Sequence, residues 1–344
     1  MAEPALMLAV HSLESLHTLE KLKIIDAAGN AESFAHFSRF DIERSVGRQL
    51  RIANFDPGRL VLAAESDLKY LTQAGIAYTF YWSDDYPPLL REIYDPPLVL
   101  FYRGRLPDPE NPLLAIVGTR RPTSAGLRSA FTLGREVAAA GIPVVSGLAR
   151  GIDAAAHEGA LAAGGGTIAV LGSGIDTVYP MSNRRLAGSI IGDGGCIVSE
   201  YPPGVPPLKY HFPARNRIIA GLSRGVVVVE APNGSGALIT ADFCIEQGRD
   251  LFVHRTGIEG PNCGGCASLS TDGARIIDGA ADVLRDWERS GRPNVAAPGE
   301  RQLPLEFCEV GTGPQIGRAM AVLMERELNG EITKQFGAFF RRSD

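Results

Sequence analysis

The sequence predicts an α/β protein built on a doubly wound, mostly parallel sheet, and three observations carry that prediction. From Leu113 onward short β-branched runs alternate with Ala-rich helical runs: LLAIV, SAGLRSAFTLGREVAAAG, IPVVS, GIDAAAHEGALAAG and TIAVLG follow one another, which is the strand–helix rhythm of a parallel sheet. Further strand-like blocks recur at Cys196 to Ser199, Val226 to Glu230 and Leu251 to His254. Each block runs into a loop containing Gly or Ser, and ligand sites in such sheets lie at those carboxyl ends.

Ahead of the sheet, the first 75 or so residues read as helices. Leu13, Leu16, Leu19 and Leu22 recur at threes, Asp56-Pro57 has the N-cap and first-turn pairing of a helix start, and Gly75 suits the C-terminal cap. Ile76 to Tyr81 alternates as a strand. A Pro-punctuated stretch from Tyr86 to Pro112, closing on Pro107, Pro109 and Pro112, places a domain boundary near Leu106 to Pro112. At the other end Gly291, Pro293, Pro298, Gly299 and Pro304 mark a linker, beyond which Ile316 to Leu328 reads as a helix and GEITKQFGAFFRR as a hairpin. A tail of roughly 40 residues is too short for an independent core and is expected to dock.

Composition sets the outer limits. With 344 residues and 45% hydrophobic content, about two domains with a substantial core are expected. The formal charge of −5 excludes a protein that works through overall positive charge, so any anion site must be local. Five Cys, an odd number, and a start (MAEPALMLAVHSLE) without a basic region before an apolar stretch predict a reduced cytoplasmic protein. No apolar run approaches the roughly 20 residues that span a bilayer, and no internal repeat is found.

The first strand of the sheet ends in Gly118-Thr119-Arg120-Arg121, with Gly126 in the helix start after it. Amides freed at a helix N-terminus beside a guanidinium make an anion site. The spacing is not G-x-G-x-x-G, and Val144, Val145 and Ser146 of the next strand provide no carboxylate for a ribose hydroxyl, which disfavours a nicotinamide dinucleotide. Ser146-Gly147-Leu148-Ala149-Arg150-Gly151-Ile152-Asp153 then leads into a helix, its glycines allowing close backbone approach to a ligand and Asp153 complementing the dipole. Gly172-Ser173-Gly174-Ile175-Asp176 and Ser235-Gly236-Ala237 follow later strands in the same way. Taken singly, each loop is equally a packing turn or an ordinary N-cap.

The segment LKYHFPARNRIIAGLS carries more. Lys209, Arg215 and Arg217 crowd around His211 and Phe212, and no acid lies between Glu200 and Glu230. A second acid-free window, Asn111 to Arg135, holds four arginines. An acidic chain thus concentrates positive charge beside its glycine loops, a focused anion site. Cations interleaved with an exposed aromatic suit a single-stranded nucleic acid, whose phosphates pair with the cations while a base stacks on the ring; a core ring beside a solvated basic face is the competing reading.

Other motifs fail on context. Gly221-Leu222-Ser223-Arg224-Gly225 spells a nucleophile elbow but runs from helix into strand, the reverse of the arrangement that exposes the Ser. There is no G-x-x-x-x-G-K-[ST] and no H-E-x-x-H, and the six His are scattered. Cys263-Gly264-Gly265-Cys266 is a single C-x-x-C without a second pair nearby, too few ligands for structural zinc. Neither a metal nor a cofactor is expected.

In order, GTRRP, SGLARGIDAAAH, GSGIDTVYP, SEYPPG, FPARNRIIAGLS and SGALITA resemble the DNA-processing protein A family, DprA or Smf, over about residues 80 to 285, with DDYPPLLREIYDPPLVLFYRG preceding them. The resemblance implies an extended Rossmann-like domain over residues 81–286, a helical domain of the SAM-like or helix-hairpin-helix type over 1–80, a linker over 287–304 and a small winged-helix-like tail over 305–344. It implies a non-enzymatic protein that binds single-stranded DNA without cleaving it, helps load the RecA recombinase during natural transformation, and dimerises through the Rossmann-like domain. Carried onto this chain, the DNA pocket comprises Gly118, Arg120, Ser146, Gly147, Lys209, Phe212, Arg215, Asn216, Arg217, Ser235 and Gly236. Two departures stand out: Ala237 replaces the second Ser of the family's SGS loop, and CGGCA occupies Cys263 to Ala267 where a Gly-Ser/Thr-Asn step is usual. A second reading, a nucleotide-binding or nucleotide-hydrolysing enzyme, needs a catalytic carboxylate; Glu200 and Glu230 are its candidate general bases.

Overall fold

The structure is a computed structural model that describes residues 3–13, 15–50 and 55–290, and the backbone of 332–335 and 338–341. The chain divides into two compact units, Met1–Ala296 and Ala297–Asp344.

Five helices open the first unit: α1 (Pro4–His11), α2 (Thr18–Ala28), α3 (Ala31–Ala35), α4 (Arg39–Val46) and α5 (Pro57–Ala74). The Asp56 carboxylate accepts from the Arg59 amide at 3.0 Å, Pro57 occupies the first turn, and Gly75 closes α5 at φ 63°, as the sequence predicts. The run of leucines at threes is not one helix. Leu13 and Leu16 lie in the turn between α1 and α2, because His17 and Glu20 form a capping box that starts a new helix at Thr18.

The remaining elements are β1 (Ala77–Phe80), α6 (Pro88–Arg91), β2 (Val99–Gly104), β3 (Leu114–Val117), α7 (Ser124–Ala139), β4 (Val144–Ser146), α8 (Ile152–Ala162), β5 (Thr167–Val170), α9 (Arg184–Gly192), β6 (Cys196–Ser199), α10 (His211–Leu222), β7 (Gly225–Val228), α11 (Gly236–Glu246), β8 (Asp250–His254), α12 (Thr256–Glu259), α13 (Gly264–Thr271), β9 (Arg275–Ile277) and α14 (Ala280–Ser290). They build one nine-stranded sheet of order β1-β2-β6-β5-β4-β3-β7-β8-β9. Strands β3 to β9 pair in parallel, whereas β1–β2 and β2–β6 are antiparallel. Two boundaries are therefore corrected. The Pro-rich segment at 106–112 joins strands of the same sheet, because β2 pairs with β6; and α14 continues to Ser290, past the point where a linker was expected.

Period-2 alternation explains why both faces are covered. Ala115 and Val117 point to a core shared with Ile218 and Ile219 of α10 and Ala241 of α11, while Leu114 and Ile116 face Ala130 and Leu133 of α7 and Ala156 of α8. Helices α7 and α8 cross so closely that a Cβ on Gly134 or Gly159 would meet backbone oxygens of Ala156 or Phe131. The N-terminal helices share a further core with Val99, Phe101, Leu171 and Ile197, so they pack on the sheet. Among the described residues, no helix is long and apolar enough to cross a membrane.

The second unit contributes an antiparallel hairpin, β10 (Ile332–Gln335) with β11 (Ala338–Arg341), where one was expected. The helix expected over Ile316 to Leu328 lies outside the described residues.

Buried histidines make stability depend on pH. His157 of α8 is fully buried, with Nδ1 2.7 Å from Thr167 Oγ1, and burial pulls its imidazole from 6.5 to about 3. Below pH 6.5 the unfolded chain takes up a proton that the folded chain refuses, so stability is present above that pH and is lost as pH falls toward 3. His157 by itself contributes a loss of about 2 kcal/mol between pH 7 and 5, and His11, which burial likewise pulls from 6.5 to about 3, adds to it. Urea unfolding at the two pH values measures it, and His157→Gln should remove that part of the slope.

Candidate nucleic-acid interface

Strands β4 to β6 are laid down outward from β3 in one direction and β7 to β9 in the other, so the chain reverses at the β3–β7 pair. A crevice outside the carboxyl ends is the expected consequence, and the loops after β3, β4, β5 and β7 meet there. Thr119 donates its amide to Glu230 O at 2.7 Å, and a Cβ on Gly151 would lie 3.0 Å from the Arg120 carbonyl carbon. Gly151 sits at φ 83° and Leu148, a non-glycine, at φ 55°. Leu148 holds this sparsely populated conformation because its side chain is fully buried in the core.

The N-terminal half of α10 lies across the ends of β4 and β5. Arg215, 4% exposed, donates to Gly147 O at 2.8 Å and also to Val170 O. Asp153 accepts from the Gly147 amide at 3.1 Å on the other side of the same loop. Burial raises the Asp153 carboxyl and lowers Arg215 to about 10, each opposed by the charge of the other. Arg217 points elsewhere, into a two-pronged pair with Glu200 at 3.0 and 2.6 Å, with Asp95 at 3.9 Å. Burial works against its charge, yet Glu200 and Asp95 together hold it above its ordinary value. Ser146 is fully buried and donates to Ile116 O at 2.6 Å. Thus Arg215, Arg217 and Ser146, expected at the ligand, are engaged inside the fold.

What faces solvent is a different set. Phe212, half-buried in the first turn of α10, rests on Gly172, where a Cβ would come within 2.9 Å of its ring. The exposed Arg120 places its guanidinium carbon 5.6 Å from the Phe212 centroid, and Tyr179, 45% exposed, lies 5.4 Å away on a tilted ring. Lys209 is exposed one turn earlier, and Asn216 donates to Gly236 O at 3.2 Å, tying α10 to the loop after β7. Ser235 caps α11, accepting from the Ala237 amide at 3.4 Å. Gly118 is half-buried against Ile152.

Residues passed over in the sequence complete the edge. Tyr179 was legible only as part of the loop after β5, and the exposed Arg184 and Arg185 start α9 behind it. Asn183 donates to Leu148 O at 2.9 Å, which brings that segment beside the loop carrying the exposed Arg150. An adjacent Arg-Arg pair after an exposed Tyr is the signal that could have found them.

The candidate general bases are occupied. Buried Glu230 accepts from the Thr123 amide at 3.0 Å, the Thr123 hydroxyl at 3.1 Å and Asn262 Nδ2 at 2.7 Å, and Glu200 holds Arg217. Among the described residues, no cluster of three or more His, Cys, Asp or Glu could hold a metal ion.

The family model for DNA recombination-mediator protein A matches residues 77–288. The chain belongs to that family. DNA processing protein DprA of Streptococcus pneumoniae is 47% identical over 205 residues, 60% of this chain and 72% of the relative; Protein Smf of Escherichia coli is 37% identical over 300 residues, 80% of each. The X-ray structure of DprA from Streptococcus pneumoniae superposes with a TM-score of 0.67 at 36% identity, covering 83% of this chain and 99% of that one. DNA processing protein A from Helicobacter pylori, whose structure concerns its single-stranded DNA binding mode, gives 0.55 at 31% identity over 62% and 96%. The Rossmann-like α/β fold expected from the sequence is thus the family's fold.

Proposed function

We propose that this chain binds single-stranded DNA along the carboxyl edge of its sheet and acts there as a non-enzymatic recombination mediator that helps load RecA, working as a homodimer through the sheet domain. The observation that carries the reading is the platform of half-buried Phe212 and exposed Tyr179 with Arg120 over the Phe212 ring. A base stacks on such rings whatever its identity, and the cations around them pair with phosphates. In this reading Arg120 and Lys209 hold phosphates, Asn216, Ser235 and the backbone of Gly118, Gly147 and Gly236 line the path, and Ser146, Arg215 and Arg217 hold the loops in place. Relatives named as DNA processing proteins, and the single-stranded DNA binding of the Helicobacter pylori protein, support it. The engagement of Glu200 and Glu230 in structural bonds favours it over a hydrolase.

Fluorescence anisotropy of labelled oligo-dT against a duplex of equal length tests the reading. Binding should prefer the single strand and weaken with salt; phosphate pairing by four of the six exposed cations along this edge, Arg120, Arg121, Arg150, Arg184, Arg185 and Lys209, gives a log–log slope of about −3. Equal affinity for duplex, or no binding at low salt, would overturn it.

A further inference from the structure

Cys263 is the N-cap of α13 and Cys266 lies in its first turn, with the Ala267 amide donating to Cys263 O at 2.7 Å, so the two side chains stand three positions apart at one end of the helix. Their environments differ. Cys263 is partly exposed, whereas Cys266 is fully buried and its thiol is pushed up to about 11 by burial, with Glu230 and Cys263 adding to the rise. Both are free thiols. One accessible sulfur and one buried sulfur three residues on is the arrangement of an attacking thiol with a resolving partner. Cys196 and Cys244, by contrast, are both buried, with thiols pushed up to about 12.

This turn is bonded to the ligand loop. The amides of Gly265 and Cys266 both donate to Ala231 O, at 3.0 and 3.3 Å. Asn262, next to Cys263, donates to Glu230 Oε1 at 2.7 Å and to Arg121 O at 3.3 Å. Gly265 lies against Ala231 and Leu238, where a Cβ would come within 2.8 and 2.9 Å. We propose that Cys263 and Cys266 are a dithiol–disulfide couple whose oxidation loosens the loop over residues 230–236 and thereby weakens the DNA site; the second half of this rests on the single-stranded DNA reading above.

The chemistry balances with hydrogen peroxide as oxidant. The Cys263 thiol loses its proton, the thiolate attacks one peroxide oxygen, the O–O bond breaks, and the departing hydroxide takes up that proton, leaving a sulfenic acid and a first water. The Cys266 sulfur then attacks the Cys263 sulfur, the S–O bond breaks, and the Cys266 proton leaves with a second water. Two electrons pass from the thiols to the peroxide. Residues i and i+3 of a helix hold their Cβ atoms about 5–6 Å apart, and a disulfide needs about 3.5–4.5 Å. Closing that gap falls to Cys263, since Cys266 is packed in the core, and the glycines between them let the turn tighten. Asn262 moves with Cys263, so its bonds to Glu230 and Arg121 are the ones released.

The full chain, reduced or treated with peroxide, is mapped by peptide mass without reduction and titrated against labelled oligo-dT. A peptide bridged between Cys263 and Cys266 is expected, together with about tenfold weaker oligo-dT binding, the worth of one to two hydrogen bonds, restored by dithiothreitol. Cys263→Ser should keep the reduced affinity and lose its sensitivity to peroxide. No bridge under peroxide overturns the couple, and a bridge with unchanged affinity overturns its link to the DNA site. Reduced protein that fails to bind oligo-dT overturns the DNA reading and the link with it, while the mass still decides the couple.

Discussion

Arg215→Ala is expected to destabilise the folded chain by about 3–5 kcal/mol. Its guanidinium is buried and donates to the carbonyls of Gly147 and Val170, and it is the main positive charge opposing the burial of Asp153. Truncation would leave two carbonyls short of a donor and a carboxylate without its counter-charge. Both bonds leave one nitrogen, Nη1, so Arg215→Lys should rescue part of the loss by restoring a cationic donor, and only part because the shorter side chain lacks the reach and packing of the guanidinium. Urea unfolding of the three proteins measures the effect. A variant as stable as the parent but deficient in oligo-dT binding would instead place the guanidinium at the ligand and return Arg215 to the role of a phosphate contact.

Phe212→Ala should weaken oligo-dT binding by about 1–3 kcal/mol, roughly five- to 150-fold, the worth of one stacked base. Removing Tyr179 as well should cost a further increment smaller than its own single effect, since the rings lie 5.4 Å apart and share one platform. The salt slope should stay unchanged in both variants, because no phosphate contact is lost. Phe212 also packs on Gly172, so the unfolding midpoint of each variant is measured beside the titration. Unchanged affinity in a folded Phe212→Ala protein would remove that ring from the site.

Much of the molecule is legible in its sequence. The alternation of LLAIV, IPVVS and TIAVLG with Ala-rich runs is a local signal, because a strand buried on both faces must be apolar throughout and its crossover helix must be small where it meets the sheet. Caps such as Asp56, Pro57 and Gly75 are likewise decided within four residues. The antiparallel edge was not legible. Nothing in the residues of β2 states that it pairs with β6, nearly a hundred positions away, and the prolines after it resemble a linker.

The candidate site divides along the same line. Sequence alone determined the inventory: which glycine loops follow which strands, where the cations cluster in an acidic chain, and the order of motifs that marks the family. It could not assign those cations. Arg120, Arg215 and Arg217 are the same residue type within or near the same basic windows, yet one lies over a half-buried ring at the surface, one is buried between two strand ends, and one is paired with Glu200. Tertiary structure decided this, because a charge takes its role from the groups brought within a few ångströms by the sheet's reversal at β3 and β7 and from how much water is left around it.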